Sequence, residues 1–321
     1  MIATWKWVLA PLACLLAAPA AAQTWPSKPV RIIVPFAPGG GVDTVTRFLA
    51  QKLTEQVGTT FVAENRPGAA GVLASELVAR AAPDGHTLLT SAPEFSINPS
   101  ARTKLPYDPL RDFTFISQLT SGQFLLVSHP SIPVRTVKDL VALAKTRPGE
   151  LTYGSSGAGG INHLAGELLQ LMTGIRWLHI PFKGAGPATA ALMGGEISFV
   201  FASTTGLVAP AKAGKVRPIA VTGQKRFGEL PDTPTIAESG VRGYDVSGWY
   251  GFYAPANLPV PIVKRLHDEA RRALYSPDVK EKLEKTGNEP VVSSPSEFAA
   301  FVRAEIEKWG KVVKAANIKA D

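Results

Sequence analysis

The chain has 321 residues, 45% hydrophobic and 19% charged, a balance that excludes a mainly disordered protein. Its 29 glycines and 27 prolines follow no repeat, which excludes collagen, solenoid and propeller architectures, and about 150 residues per domain suggests two domains. The net charge is +8, but basic residues run from Arg31 to Lys319 interleaved with acids, the pattern of solvated helix faces and not of a nucleic-acid groove; such a field favours capture of small anions.

Met1 to Ala22 carries one charge, Lys6, then an apolar run from Trp7 to Ala18 and the ending Pro19-Ala20-Ala21-Ala22. This is the plan of a secretory signal peptide cleaved after Ala22, and its apolar run is shorter than the roughly 20 residues a membrane span needs. Cleavage would remove Cys14, the only cysteine, so the mature chain would have no disulfide, thiolate nucleophile or Cys-ligated metal. Lipid anchoring at Cys14 fits poorly, because apolar sequence continues beyond it. The mature chain is expected outside the cytoplasm.

From residue 30 onward strands and helices alternate. Val30–Val34 is an apolar run bounded by prolines, and the segment after Gly39-Gly40-Gly41 repeats Val42, Val45, Leu49 and Leu53 at helical spacing. Phe61–Glu64, Thr87–Ser91 and Phe113–Ser117 read as strands, with a helix over 71–81. Phe124–Val127 starts a second series: a helix from Thr136 to Lys145, a strand at Leu151–Tyr153, a Gly/Ser loop, and the helix of Ile161, Leu164, Leu168 and Met172. Strands follow at Trp177–Ile180, Ile197–Phe201, Val216–Val221 and Trp249–Tyr253. The remainder is mostly helical, and Ser294-Pro-Ser-Glu297 opens the last helix as a capping box.

This alternation predicts an α/β protein with mixed, mostly parallel sheets in two lobes, 26–124 plus 249–321 and 125–248, joined by a hinge crossed twice. Ligands of open α/β sheets bind beyond the carboxyl ends of the strands, so two such lobes facing each other form a cleft.

Three glycine loops at helix starts are the candidate binding elements. The first runs Phe36, Ala37, Pro38, Gly39, Gly40, Gly41, with Asp43 and Thr44 in the following turn. The second is Ser155, Ser156, Gly157, Ala158, Gly159, Gly160, followed by His163. The third, weaker, holds Lys183 and Gly184. Glycine lets backbone approach a ligand closely, and a helix start offers unpaired amides and partial positive charge to an anion. Equally, the first loop can be a tight turn with Asp43 serving the helix dipole, and His163 can be a satisfied core histidine. Enzyme templates fail here. A phosphate-binding loop from Gly154 needs a lysine where Gly160 stands, a nucleophile elbow at Ser156 needs a glycine where Ala158 stands, and the dinucleotide fingerprint needs one at Thr44. The five histidines have no metal-ligand spacing, so neither metal nor cofactor is expected.

Trp25-Pro-Ser-Lys-Pro-Val-Arg-Ile-Ile-Val-Pro-Phe36, Glu64-Asn-Arg-Pro-Gly-Ala69, Ala82-Pro-Asp-Gly85, Asn98-Pro99, Leu105-Pro-Tyr-Asp-Pro109, His163-Leu-Ala-Gly-Glu167, Pro181-Phe-Lys-Gly184 and Leu230-Pro-Asp-Thr-Pro234 resemble the substrate-binding proteins of tripartite tricarboxylate transporters, the Bug family, over nearly all of 25–319. The resemblance implies a type II, Venus-flytrap periplasmic binding protein that closes over a small carboxylate and docks transiently on a membrane permease. It implies that loop amides of both lobes hold the carboxylate. Many relatives carry Asp or Asn where this chain has Ala202-Ser203, and Ser203 joins the candidate ligand-binding residues. In the loop after 87–91, where relatives usually have small or hydroxyl residues, this chain has Glu94. Facing inward, Glu94 would accept an ammonium or a protonated acid; it is expected to face outward. Trp249 and Tyr250 are expected to be core and not cleft wall. A monomer is expected, since a closing cleft needs no partner subunit. The competing readings are a ligand-sensing lobe for a membrane receptor and a secreted hydrolase using Ser155 or Ser156 with His163.

Overall fold

The computed structural model describes residues 25–182 and 184–319; the expected signal peptide and Lys183 lie outside the described residues. Strands β1 (Val30–Val34), β2 (Phe61–Asn65) and β3 (Thr87–Ser91) alternate with helices α1 (Gly41–Val57), α2 (Val72–Ala79) and α3 (Glu94–Ala101). β4 (Phe113–Ser128) then leads into α4 (Val137–Thr146), β5 (Thr152–Ser155), α5 (Ile161–Thr173), β6 (Leu178–Pro181), α6 (Ala185–Met193), β7 (Phe199–Ser203), α7 (Thr204–Lys212) and β8 (Arg217–Val221). β9 (Ser247–Pro255), α8 (Val260–Leu274), α9 (Pro277–Lys285), β10 (Asn288–Pro290) and α10 (Pro295–Ala315) complete the chain.

The protein has an α/β architecture of two lobes with mixed sheets. The outer strands pair in parallel, β2-β1-β3 in one lobe and β6-β5-β7 in the other. The antiparallel pairs gather on β4 and β9, the strands that carry the chain between lobes. The helical spacing of α1 puts Val45, Leu49 and Leu53 on one face, buried to 1% exposure or less against Val30, Ile32 and Leu88. Truncating such a leucine to alanine costs about 2–5 kcal/mol.

β4 is one strand of 16 residues where two short runs were expected. Up to Gln123 it pairs with β9; from Phe124 it pairs with β7 and β8. Thr222, fully buried, fastens the two crossings together: its hydroxyl accepts the amide of Phe124 (2.9 Å) and donates to the carbonyl of Val246 (2.6 Å).

α10 starts from the expected capping box, Ser294 with Glu297, and spans both cores. Phe298 and Val302 pack with Phe95 and Tyr253, whereas Trp309, Val312 and Val313 join Tyr153, Leu164 and Tyr244. Between them the buried Glu305 accepts both the Trp249 indole N–H (3.3 Å) and the Trp309 indole N–H (2.9 Å). Trp249 is thus core, as its aromatic character suggested.

Candidate functional site

Two helix starts, one in each lobe, share one design. α1 begins at N-cap Gly40 (φ −75°, ψ 168°) and α5 at N-cap Gly160 (φ −77°, ψ 164°), neither with a side-chain cap. The glycine before each is left-handed, Gly39 at φ +87° and Gly159 at φ +73°, a region costly for other residues. In α1 the amide of Gly39 donates to Asp43 Oδ2 (2.8 Å); in α5 the amide of Gly159 donates to His163 Nδ1 (3.0 Å). By contrast α4 and α10 close their first turns with capping boxes. α1 and α5 have no capping box of their own over their first-turn amides, the arrangement that binds anions at helix starts.

Asp43 and His163 therefore use their polar atoms inside the protein. Asp43 is 2% exposed and also accepts from Arg47 Nε (3.0 Å) and Asn65 Nδ2 (2.9 Å). Burial raises its pKa, but the hydrogen bonds from Arg47, Gly39 and Asn65 prevail and hold it below the ordinary carboxylate value. His163, 8% exposed, stacks on His179 with ring centres 3.7 Å apart. Because Nδ1 accepts, the proton sits on Nε2, facing Glu167 Oε1 at 3.6 Å.

Beneath the second loop Ser155 is fully buried and binds His179 Nε2 (2.6 Å), not His163, and its Oγ also contacts the carbonyl (2.9 Å) and amide (3.2 Å) of Gly157. Burial first, then the repulsion a protonated His163 would exert, pushes the His179 pKa down to about 4. The parallel pairing of β5 with β6 puts Tyr153 opposite His179 and so brings these groups together. A serine with no exposed surface offers no access for acyl transfer.

A cavity of about 280 Å³ lies where the lobes meet at the hinge. Gly39, Gly41, Thr44 and Tyr250 line it from lobe 1, Ser203 and Thr204 from lobe 2, and Gln123, Phe124 and Gly248 from the crossings. Gly41 has no room for a side chain, since a Cβ there would overlap the Tyr250 hydroxyl. Among the described residues the lining has no Lys, Arg, Asp or Glu, and Gln123 Oε1 and Thr204 Oγ1 are buried without a hydrogen-bond partner.

Glu94 faces inward, contrary to the expectation from sequence. It is the first residue of α3, lines a small cavity with Pro35, Phe36 and Ser91, and its carboxylate meets the backbone N–H of Ile161 across the cleft. Burial pushes its pKa up, against the amides of Glu94 and Ile161, which favour the charged form. On its other side Tyr250 is pushed up to about 12 by burial and by the charge of Glu94. The segment after β3, expected as a loop, is helical from Glu94 onward, with Pro93 as N-cap and Pro99 inside α3 near its end.

Of the residues singled out in the sequence, Gly39, Gly41, Thr44 and Ser203 line the larger cavity, and Phe36 lies beside Glu94. Ala37, Pro38, Gly40, Ser156 and Ala158 are at the surface of their loops, Gly157 and Gly160 are half-buried, and Gly184 is the N-cap of α6. Gln123 and Thr204 were missed, and Tyr250, expected to be core, lines the cavity. Tyr250 follows Trp249 on a strand and so points to the opposite face, which is the cleft.

Residues 45–318 match the family described as tripartite tricarboxylate transporter family receptor, TctC. The chain is 33% identical over 306 residues to protein BugT of Bordetella pertussis, covering 95% of this chain and 94% of that one. Among solved structures, an R. palustris protein with adipate superposes with a TM-score of 0.81 at 37% identity, covering 92% of this chain and 99% of the other. MatC of Rhodopseudomonas palustris with bound malate gives 0.77 at 32% identity, covering 90% and 100%.

Proposed function

The chain belongs to the tripartite tricarboxylate transporter receptor family, the Bug proteins, and from that premise we propose that it is exported to the periplasm, closes its two lobes over a small carboxylate and delivers it to a membrane permease. The lobes are 26–124 with 249–321 and 125–248, hinged at the two crossings beside Thr222, with the second half of α10 reaching over onto the second lobe. The carboxylate is gripped by first-turn amides of α1 and α5.

One observation supports this reading: two helix starts of the same geometry, neither with a side-chain cap, stand in opposite lobes, the α1 start lining a cavity without basic side chains and the α5 start meeting Glu94 of the facing lobe. Four or five amide donors suffice. A hydrogen bond to a charged group contributes roughly 1.5–3 kcal/mol, and micromolar affinity needs about 8 kcal/mol. Relatives of 32% and 37% identity hold malate and adipate, so both are suitable first probes. Calorimetry and thermal-shift titration with a panel of C4 to C6 carboxylates test the reading. Micromolar binding of at least one member supports it; no binding of any member at millimolar concentration rejects it.

A further inference from the structure

Asp43 accepts the amide of Gly39 ahead of α1 and Glu94 meets the amide of Ile161 at the start of α5, and the two carboxylates stand in opposite states. Asp43 is saturated by Gly39, Arg47 and Asn65. Glu94 meets only its own amide and that of Ile161, and among the described residues it forms no ion pair with Lys or Arg. Its neighbours in the small cavity, Pro35, Phe36, Ala92 and Phe95, are apolar, and beyond them lie the hydroxyl of Ser91 and the amide of Asn98. A carboxylate placed against the start of α5 repels a ligand carboxylate held by the same helix start, unless the ligand also brings a positive charge.

Independent atoms point the same way. Asn162 Oδ1, one residue beyond Ile161, and Gln123 Oε1, in the wall of the larger cavity at the hinge, are buried acceptors without donors. An ammonium has three donors and no acceptor, and so complements acceptors of this kind; a plain carboxylate has only acceptors.

We propose that Glu94 makes this cleft selective for an amino carboxylate, its side chain receiving the ligand ammonium while the helix starts hold the ligand carboxylate. The inference rests on the reading of the cleft as a carboxylate receptor. A bound ammonium would favour the ionised form of Glu94 over the neutral form that burial favours.

The test is calorimetry on the full chain with matched probes: aspartate against succinate, glutamate against glutarate, and 6-aminohexanoate against adipate. At least one amino acid should bind ten-fold or more tightly than its diacid partner. In Glu94→Gln that ratio should fall at least ten-fold, while Glu94→Asp, which keeps the charge, should retain part of it; thermal unfolding checks that both variants fold. Diacids binding at least as tightly as their partners, or a preference that survives in Glu94→Gln, would overturn the role of Glu94 and leave carboxylate capture standing. Absence of binding by all six probes would overturn both.

Discussion

The carboxylate of Asp43 and the imidazole of His163 do the same job in opposite lobes: each accepts the amide of the glycine four residues earlier, at 2.8 Å and 3.0 Å. Chemically unlike side chains thus set equivalent glycine turns ahead of α1 and α5. Each residue is buried and braces the glycine turn ahead of its own helix, the turn we propose faces the ligand.

Asp43→Ala should therefore weaken carboxylate binding by more than ten-fold without removing a ligand contact. Asp43→Asn keeps an acceptor for Gly39 and should lose much less. Calorimetry of the two variants, with unfolding curves as control, separates loop positioning from charge.

Gly39 and Gly157 have φ of +87° and +147°, and a Cβ at Gly39 would meet nothing within 4 Å. The barrier to substitution there is torsional, not steric. Gly39→Val and Gly157→Val should each abolish measurable binding while the fold persists. Ser155→Ala removes one brace of the second loop and should weaken binding less than ten-fold. The reverse order in calorimetry would argue against capture by backbone amides.

His179 is held neutral, its pKa near 4 against 6.5 for an ordinary imidazole. Between these values the unfolded chain takes up a proton that the folded chain refuses. Stability present above pH 6.5 is thus lost as pH falls toward 4, by on the order of 2–3 kcal/mol. Denaturant unfolding at pH 7 and pH 5 should show this loss in the native chain and a shallower one in His179→Gln.

Glu305 is the shared acceptor of two buried indoles, Trp249 on β9 and Trp309 in the second half of α10. Glu305→Ala orphans both donors and should cost about 3 kcal/mol, since each unsatisfied buried group costs roughly 1–3 kcal/mol. Glu305→Gln keeps the acceptor oxygen and should cost about 1 kcal/mol. Urea unfolding measures both.

Local signals in the sequence carried most of the fold. The Ser294–Glu297 capping box, the Thr136 cap and the apolar spacing of α1 all appear where short-range chemistry puts them. What the sequence hid depends on distant partners. Ser155 meets His179 across 24 residues through a parallel strand pair, Glu94 opens α3 directly after the N-cap Pro93 and meets Ile161 of the other lobe, and β4 runs unbroken through Gly122 because β9 and β10 flank it there. The glycine loops stood out as candidates by composition, but the internal duties of Asp43 and His163 emerge only with three-dimensional geometry.

A crystal structure of the chain with a bound carboxylate tests the central claim most directly. The account predicts ligand carboxylate oxygens within about 3.2 Å of amides in the first turns of α1 and α5, inside the cleft beside Tyr250. A carboxylate held instead by lysine or arginine side chains, or bound outside that cleft, would contradict it.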